Sequence, residues 1–435
     1  MKKPVVKAKS QKIKKSVLEL LAPAGNTLKM KTAFAYGADA VYLGIPDFSL
    51  RVRINEFDLK GIREAVKYAH EHEKKVYVTA NIFAHNIHLK SFAVYLKKIK
   101  VLNVDAIIVS DPGILSLVKN NWPGAEIHLS TQANCTNLEA ARFWSKQGVA
   151  RIVLGREVTL KEIKEIHRAL PKVELEYFIH GAMCMAYSGR CFLSKLFVNR
   201  SGNLGDCAQP CRWQYDVNRY TLKANGHEEE LELVEEQHGA YLLNSKDLCL
   251  IKNLVELIKA GITSFKIEGR AKSVYYQATV CGAYRRALNL IIAKTPTVQL
   301  QKELAYLYQE LETKLVHRGY TSGFLLGDKA EQNVSNSHNK SAWEFCGQVL
   351  KTEMQSNKIR LFFQVHNTIK VEDEIEIIGR SYDIIKLRLE KLFDSSTGKE
   401  IQEAHGGGGG QKCFIELEGK IQLPEFAVLR RKLID

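Results

Sequence analysis

No uninterrupted apolar run in the 435 residues approaches the ~18 that a bilayer crossing requires, so an integral helical membrane protein is excluded. The basic N-terminus lacks the apolar segment of a secretory signal, and a cytoplasmic location is expected. There is no low-complexity bulk. With 45% apolar residues and ordinary aromatic and charged content, disorder is excluded for most of the chain. Hydrolase signatures are also missing: there is no Gly-x-Ser-x-Gly elbow and no Gly-Lys-Ser/Thr phosphate loop. His70-Glu71-His72-Glu73 lacks the second histidine of a zinc protease and reads as an exposed helix face. Acidic residues are in deficit, 48 against 63 basic, giving a net charge of +15. Seven lysines precede Ser16 with no acid among them. A solvated tail is the plain reading; a polyanion partner, nucleic acid first, is the sharper one.

From Leu18 to about Ala293, short apolar runs alternate with amphipathic segments. The runs are Leu18–Ala22, Ala40–Leu43, Val76–Asn81, Ala106–Ser110, Ile127–Thr131, Arg151–Leu154, Leu175–Ile179 and Ser264–Ile267. They are too short for helices and rich in Val, Ile and Tyr, which suits strands covered on both faces. Ile62, Ala65, Val66 and Ala69 form a helical stripe, and Thr159 with Glu162 forms a capping box. Eight strand–helix units predict an α/β fold, a TIM-like (β/α)8 barrel, interrupted after strand seven by a long insertion. The domain reading is a basic tail (1–16), the barrel (17–295) with a Cys-bearing insertion (181–240), a helical connector and linker (296–342), and a small C-terminal β-barrel (343–435). Within the insertion a hairpin is expected near Gln214–Leu222 and a short strand at Tyr241–Asn244. Beyond Trp343 the period becomes two: Ile359, Leu361, Phe363 and Val365 alternate with polar residues, as do Ile375 and Ile377 with Glu374 and Glu376.

Nine cysteines, an odd number, argue against a disulfide framework. Four of them, Cys184, Cys191, Cys207 and Cys211, crowd into the start of the insertion. Converging thiolates hold zinc or an iron–sulfur cluster, and the wide first gap tilts the choice toward iron and sulfide, with structural zinc as the alternative. Plain packing without any ligand is the third possibility. Cys249 stands in reserve as fourth ligand if Cys211 points away.

Cys184 follows the seventh strand at its C-terminal end, where barrels build their active sites. Asn81, Gln132, Asn244, Glu268 and Arg270 end other strands or follow them closely. Glu176 and His180 are an even number apart on strand seven, so both are expected on one face, with His180 as acid or base and Glu176 tuning it. Arg212, Trp213 and Tyr215 are candidates for stacking on a base, with hairpin packing the equal alternative.

EYFIHGAMCMAYSGRCFLS, from Glu176 to Ser194, resembles the signature of peptidase family U32, the collagenase-like proteins. ELLAPAGN, GADAVYLG, STQANCTN and SFKIEGRAKS resemble the same family, and the likeness covers nearly the whole chain. HRGYTSGFLLG and the C-terminal region are similar to its tRNA uridine 5-hydroxylation branch. That resemblance implies a 4Fe–4S cluster on Cys184, Cys191, Cys207 and Cys211, with prephenate as co-substrate. It also implies oxygen-independent hydroxylation of a tRNA wobble uridine, with a collagenase-like peptidase of unknown catalytic type as the alternative. An electron-transfer or family-related protein partner is a further expectation.

Overall fold

The computed structural model describes residues 18–50, 55–184, 186–187, 190–213, 222–223, 230–231, 244–327, 331–333, 338–355, 358–418, 423 and 425–433. The basic tail and Tyr215 lie outside them.

Eight parallel strands close a barrel: β1 (Glu19–Pro23), β2 (Ala40–Leu43), β3 (Lys75–Ala80), β4 (Ala106–Val109), β5 (Ile127–Leu129), β6 (Arg151–Val153), β7 (Glu174–Gly181) and β8 (Ile262–Ile267). Each pairs with the next in sequence, and β8 returns to β1, Glu19 opposite Ser264. All eight expected strands are present. Helices α1 (Thr27–Ala35), α2 (Leu59–Glu71), α3 (Asn86–Lys100), α4 (Pro112–Asn121), α5 (Leu138–Lys146) and α6 (Leu160–Ala169) follow the first six strands. Their starts are fixed by side-chain caps: Asn26, Asp58, Asp111, Asn137 and Thr159 each accept from a backbone N–H in the first turn of α1, α2, α4, α5 and α6. The stripe Ile62, Ala65, Val66 and Ala69 is buried against the strands, and the Thr159–Glu162 box forms at α6.

The insertion begins with α7 (Leu193–Val198) and ends with α8 (Leu254–Ala260). Its described middle holds one antiparallel pairing, Leu222–Lys223 with Glu230–Leu231; Gln214–Thr221 lie outside the described residues. Of the short strand expected at Tyr241–Asn244, residues 241–243 lie outside the described residues. A strand at Asp247–Cys249 runs antiparallel to the end of β7 with Cys249 opposite His180, and Tyr320–Thr321 extends it. Helices α9 (Val274–Ile292) and α10 (Thr297–Lys314) complete the layer. No helix among the described residues is long and apolar enough to cross a membrane.

The C-terminal region is an eight-stranded antiparallel half-barrel. Its order is 384–388, 374–378, 428–432, 343–355, 358–365, 412–418, 392–394 and 400–401. Ile359, Leu361, Phe363 and Val365 are its buried row. Glu376 departs from the simple alternation, because the second face of its strand is covered by α10. It is buried against Arg430 Nε at 2.7 Å and Lys314 Nζ at 3.2 Å. The half-barrel docks on the first through α1 and α9. Tyr36 donates its hydroxyl to the Ile378 carbonyl at 2.7 Å and accepts from the Val428 N–H at 3.2 Å.

Candidate functional site

Charge fills the barrel interior at one level. The register sets Glu19, Ser264 and Glu176 side by side on β1, β8 and β7, and Arg151 reaches them from β6. Arg151 donates to Glu176 and to Ser264 at 3.2 Å each, and Ser264 donates to Glu19 at 3.0 Å and Glu176 at 3.1 Å. Lys266 Nζ lies 2.6 Å from Glu176 Oε1, and Tyr77 donates to Glu19 at 2.6 Å. Burial opposes ionisation of Glu176, but Lys266 and then Arg151 outweigh it and hold the carboxyl at about 2. Glu176 is therefore a fixed anion of the barrel floor.

Above this floor, at the C-terminal mouth, opens a cavity of about 170 Å3, many times the ~10–15 Å3 that one water occupies. Asn81, Gln132, Glu268, Arg270, Lys266 and Arg156 line it, with Tyr42 and Phe178 as apolar walls. Asn81 follows β3, donates to Ser130 Oγ at 3.1 Å and accepts from Leu50 N–H at 3.3 Å. Gln132 sits in a short 3-10 turn after β5. Arg270 donates to Ser49 Oγ at 2.8 Å and Asn55 Oδ1 at 3.1 Å, tying the loop after β2 to the rim. Glu268 pairs with Arg156, whose guanidinium lies 3.9 Å from the Phe178 ring centre. Burial lowers the pKa of Lys266, and Glu176 opposes the drop.

His180 does not face this cavity. The pairing of β7 with β8 slips between Phe178–Lys266 and His180–Ile267, so Ile179 is an extra residue on β7. Such a bulge reverses which side of the strand the following residues present. Glu176 and Phe178 point inward; the imidazole of His180 points outward among Tyr276, Tyr284 and Tyr320, its Nδ1 3.4 Å from the Tyr284 hydroxyl. Burial pushes its pKa down to about 3, opposed by Asp247 and assisted by His317 and Lys272. The expectation that Glu176 tunes a catalytic His180 is corrected: the two lie on opposite sides of the strand, and His180 is a buried neutral ring. Directly after it, Gly181 has a φ of +114°, and a Cβ there would lie 2.7 Å from the Glu268 carbonyl oxygen. That close approach lets the chain leave β7 beside the rim.

The next residues bring the cysteines to the cavity. Cys184, Cys191, Cys207 and Cys211 all line it, Cys184 exposed and the others half-buried, and all four are free. Burial raises the pKa of Cys211; Arg212 opposes, and Cys184, Cys207 and Cys191 each add to the rise. The Cys211 thiol therefore feels the other three. Among the described residues, no three His, Cys, Asp or Glu side chains close around one point as ligands of a single ion do. Cys249 is elsewhere, buried behind β7 with its Sγ 3.7 Å from the Tyr284 hydroxyl and its pKa pushed up to about 11 by burial. Of the two candidates for a fourth ligand, Cys211 lines the cavity and Cys249 does not.

Asn244 is also off the cavity, donating to the Asn333 carbonyl at 3.2 Å. Arg212 is not on the lining either. Burial and then Arg318 lower its pKa against Cys184, Asp247 and Glu268, and it donates to the Gln209 side-chain carbonyl. Trp213 is exposed and meets Phe197 edge-on at 6.2 Å.

Lys266, Arg156 and Arg151 were not singled out from the sequence. The available signal was a lysine inside the apolar run SFKI, and an arginine opening RIVL. A charge in a strand buried on both faces needs a partner or a ligand.

A model of peptidase family U32 matches residues 25–335, and one of the peptidase family U32 C-terminal domain matches residues 341–430. The chain is 35% identical to tRNA hydroxylation protein P of Haemophilus influenzae, covering 96% of each chain. It is 39% identical to tRNA hydroxylation protein P1 of Bacillus subtilis, covering 89% of each. Among solved structures it is similar to the U32 peptidase Mk0906 at 14% identity and a TM-score of 0.38, covering 61% of this chain and 97% of that one.

Proposed function

Because the chain belongs to peptidase family U32 and matches tRNA hydroxylation proteins over nearly its whole length, we propose that it is an RNA-modifying enzyme that hydroxylates the wobble uridine of tRNA. The finer reading is an oxygen-independent, prephenate-dependent conversion to 5-hydroxyuridine in the cytoplasm. The observation that carries it is the meeting of four free thiols with Asn81, Gln132, Lys266 and Arg270 in one cavity at the barrel mouth. Cys184, Cys191, Cys207 and Cys211 would hold a 4Fe–4S cluster, which supplies one-electron chemistry when bound.

The chain's own residues supply recognition. A uridine must leave its stack to enter the cavity. Asn81 and Gln132 carry both donors and acceptors, the complement of the uracil imide edge. Tyr42 and Phe178 offer flat apolar walls for the ring. Lys266, Arg156 and Arg270 make the cavity cationic, which suits the carboxylates of prephenate; Glu268 is the acid on its rim.

Liquid chromatography–mass spectrometry of tRNA nucleosides from a deletion strain tests the reaction. Loss of 5-hydroxyuridine derivatives, restored by the intact chain, is expected; unchanged levels in a strain without a paralogue refute it. Iron and acid-labile sulfide in anaerobically purified protein test the cofactor. Zinc without either would replace the cluster with a structural ion.

A further inference from the structure

Large apolar side chains are unevenly exposed. Of the nineteen that are exposed among the described residues, six lie in the short stretch from Tyr187 to Trp213. Tyr187 is 58% exposed, Phe192 72% and Leu196 78%, the last two at and on α7. The described residues of the stretch meet the barrel rim and one another. Phe83 on the rim donates its N–H to the Asn203 carbonyl, Ala208 donates to Ser194 Oγ at 2.8 Å within the stretch, and Tyr187 and Cys191 themselves line the cavity. Its charges are one-sided: Arg190, Lys195, Arg200 and Arg212 face a single acid, Asp206, which is paired to Arg200 at 3.1 Å.

Exposed rings interleaved with cations at the lip of a base-sized cavity match the chemistry of unstacked RNA. Every base offers a π-face to an aromatic ring, and the phosphates between bases seek Lys and Arg. A lipid surface would call for a longer amphipathic helix than the six residues of α7. We propose that Tyr187, Phe192 and Trp213 form a stacking platform for the single-stranded nucleotides that flank the target base, with Arg190 and Lys195 on their phosphates. This rests on the RNA-modifying reading and adds the surface that presents the loop.

Fluorescence anisotropy on the full-length protein tests it, with a labelled anticodon stem-loop and the same stem closed by a tetraloop as probes. Phe192→Ala and Trp213→Ala are each expected to weaken stem-loop binding about five-fold or more, the loss of one stacked base. Phe192→Tyr should restore it, and tetraloop binding should not change. Lys195→Ala should flatten the dependence of log Kd on log salt by about 0.7. Equal stem-loop affinity across Phe192→Ala, Trp213→Ala and wild type overturns the platform. So does a loss of anionic-vesicle binding, or of self-association, in the alanine variants with RNA affinity intact. The assay reads binding and not hydroxylation, so its failure is distinct from an unchanged nucleoside profile in the deletion strain.

Discussion

Replacing Glu176 by Gln probes the charged floor of the barrel. The amide keeps the shape but removes the anion that Lys266 Nζ meets at 2.6 Å. Arg151 retains Glu19 and Glu174, and Ser264 retains Glu19, so the burden falls on Lys266. Its remaining stabilisers are the Tyr42 ring at 4.5 Å and the Phe178 ring at 5.4 Å. Two routes give the size of the effect. The Glu176 carboxyl lies at about 2 against an ordinary 4.5, which corresponds to about 3 kcal/mol at neutral pH. Breaking a buried ion pair from one side costs about 3–5 kcal/mol. The sign in pH follows from the lowered value: the contribution is complete above about 4.5 and is lost as pH falls toward 2. Guanidinium unfolding of wild type and Glu176→Gln, followed by fluorescence between pH 3 and 8, should show a gap of about 3 kcal/mol at pH 7 that narrows below pH 4.5. Glu176→Leu combined with Lys266→Met should recover most of it, because no lone charge stays buried. A gap under about 1 kcal/mol at pH 7, or one that ignores pH, refutes the claim that Glu176 is an ionised structural anion.

Tyr36→Phe removes the hydroxyl that serves Ile378 and Val428 across the two domains; a loss of about 1–3 kcal/mol is expected, read as an earlier thermal transition. His180 should stay neutral down to about pH 4, because burial holds its pKa at about 3. Its stabilising contribution is present above the ordinary value of 6.5 and lost as pH falls below it, and NMR should show no imidazole titration between pH 5 and 8. Cys191→Ser or Cys211→Ser should abolish bound iron and sulfide, whereas Cys249→Ser should retain both; the reverse pattern, by metal analysis, would move the ligand set. Chelation of the iron should make residues 184–213 the first proteolytic site, mapped by mass spectrometry of the fragments.

The barrel was legible because its strands are short apolar runs, most of them rich in Val or Ile, and helices such as α2 carry an apolar stripe. The convergence of Cys184, Cys191, Cys207 and Cys211 was legible from clustering after a strand end. Facing was not. The two-residue period placed His180 with Glu176, but one extra residue at Ile179 reverses that, and a bulge leaves no mark in a hydrophobic pattern. Lys266 and Arg151 were hidden by their apolar neighbours, since a window that averages hydropathy treats a lone charge as noise. Glu376 failed for a third reason: α10 covers the face that the alternation assigns to solvent, and packing of one domain on another has no local signature.

The cysteine stretch raises a question of energy that links the two proposals. Among the described residues from Cys184 to Trp213, the fully buried ones are Ser194, Gly205 and Pro210, and no large apolar side chain is among them. Local hydrogen bonds such as Ala208 to Ser194 at 2.8 Å and half-buried side chains hold it. Ligation of four sulfurs spread along the stretch would add to that, as in small domains whose metal-binding energy is their folding energy. Cys191 directly precedes Phe192, and Cys211 is two residues from Trp213. The groups proposed to hold the cluster are therefore also those that fix the rings proposed to hold RNA. A protein stripped of iron should lose stem-loop affinity along with its chemistry, while the ion-paired floor around Glu176, on separate strands, keeps the barrel folded.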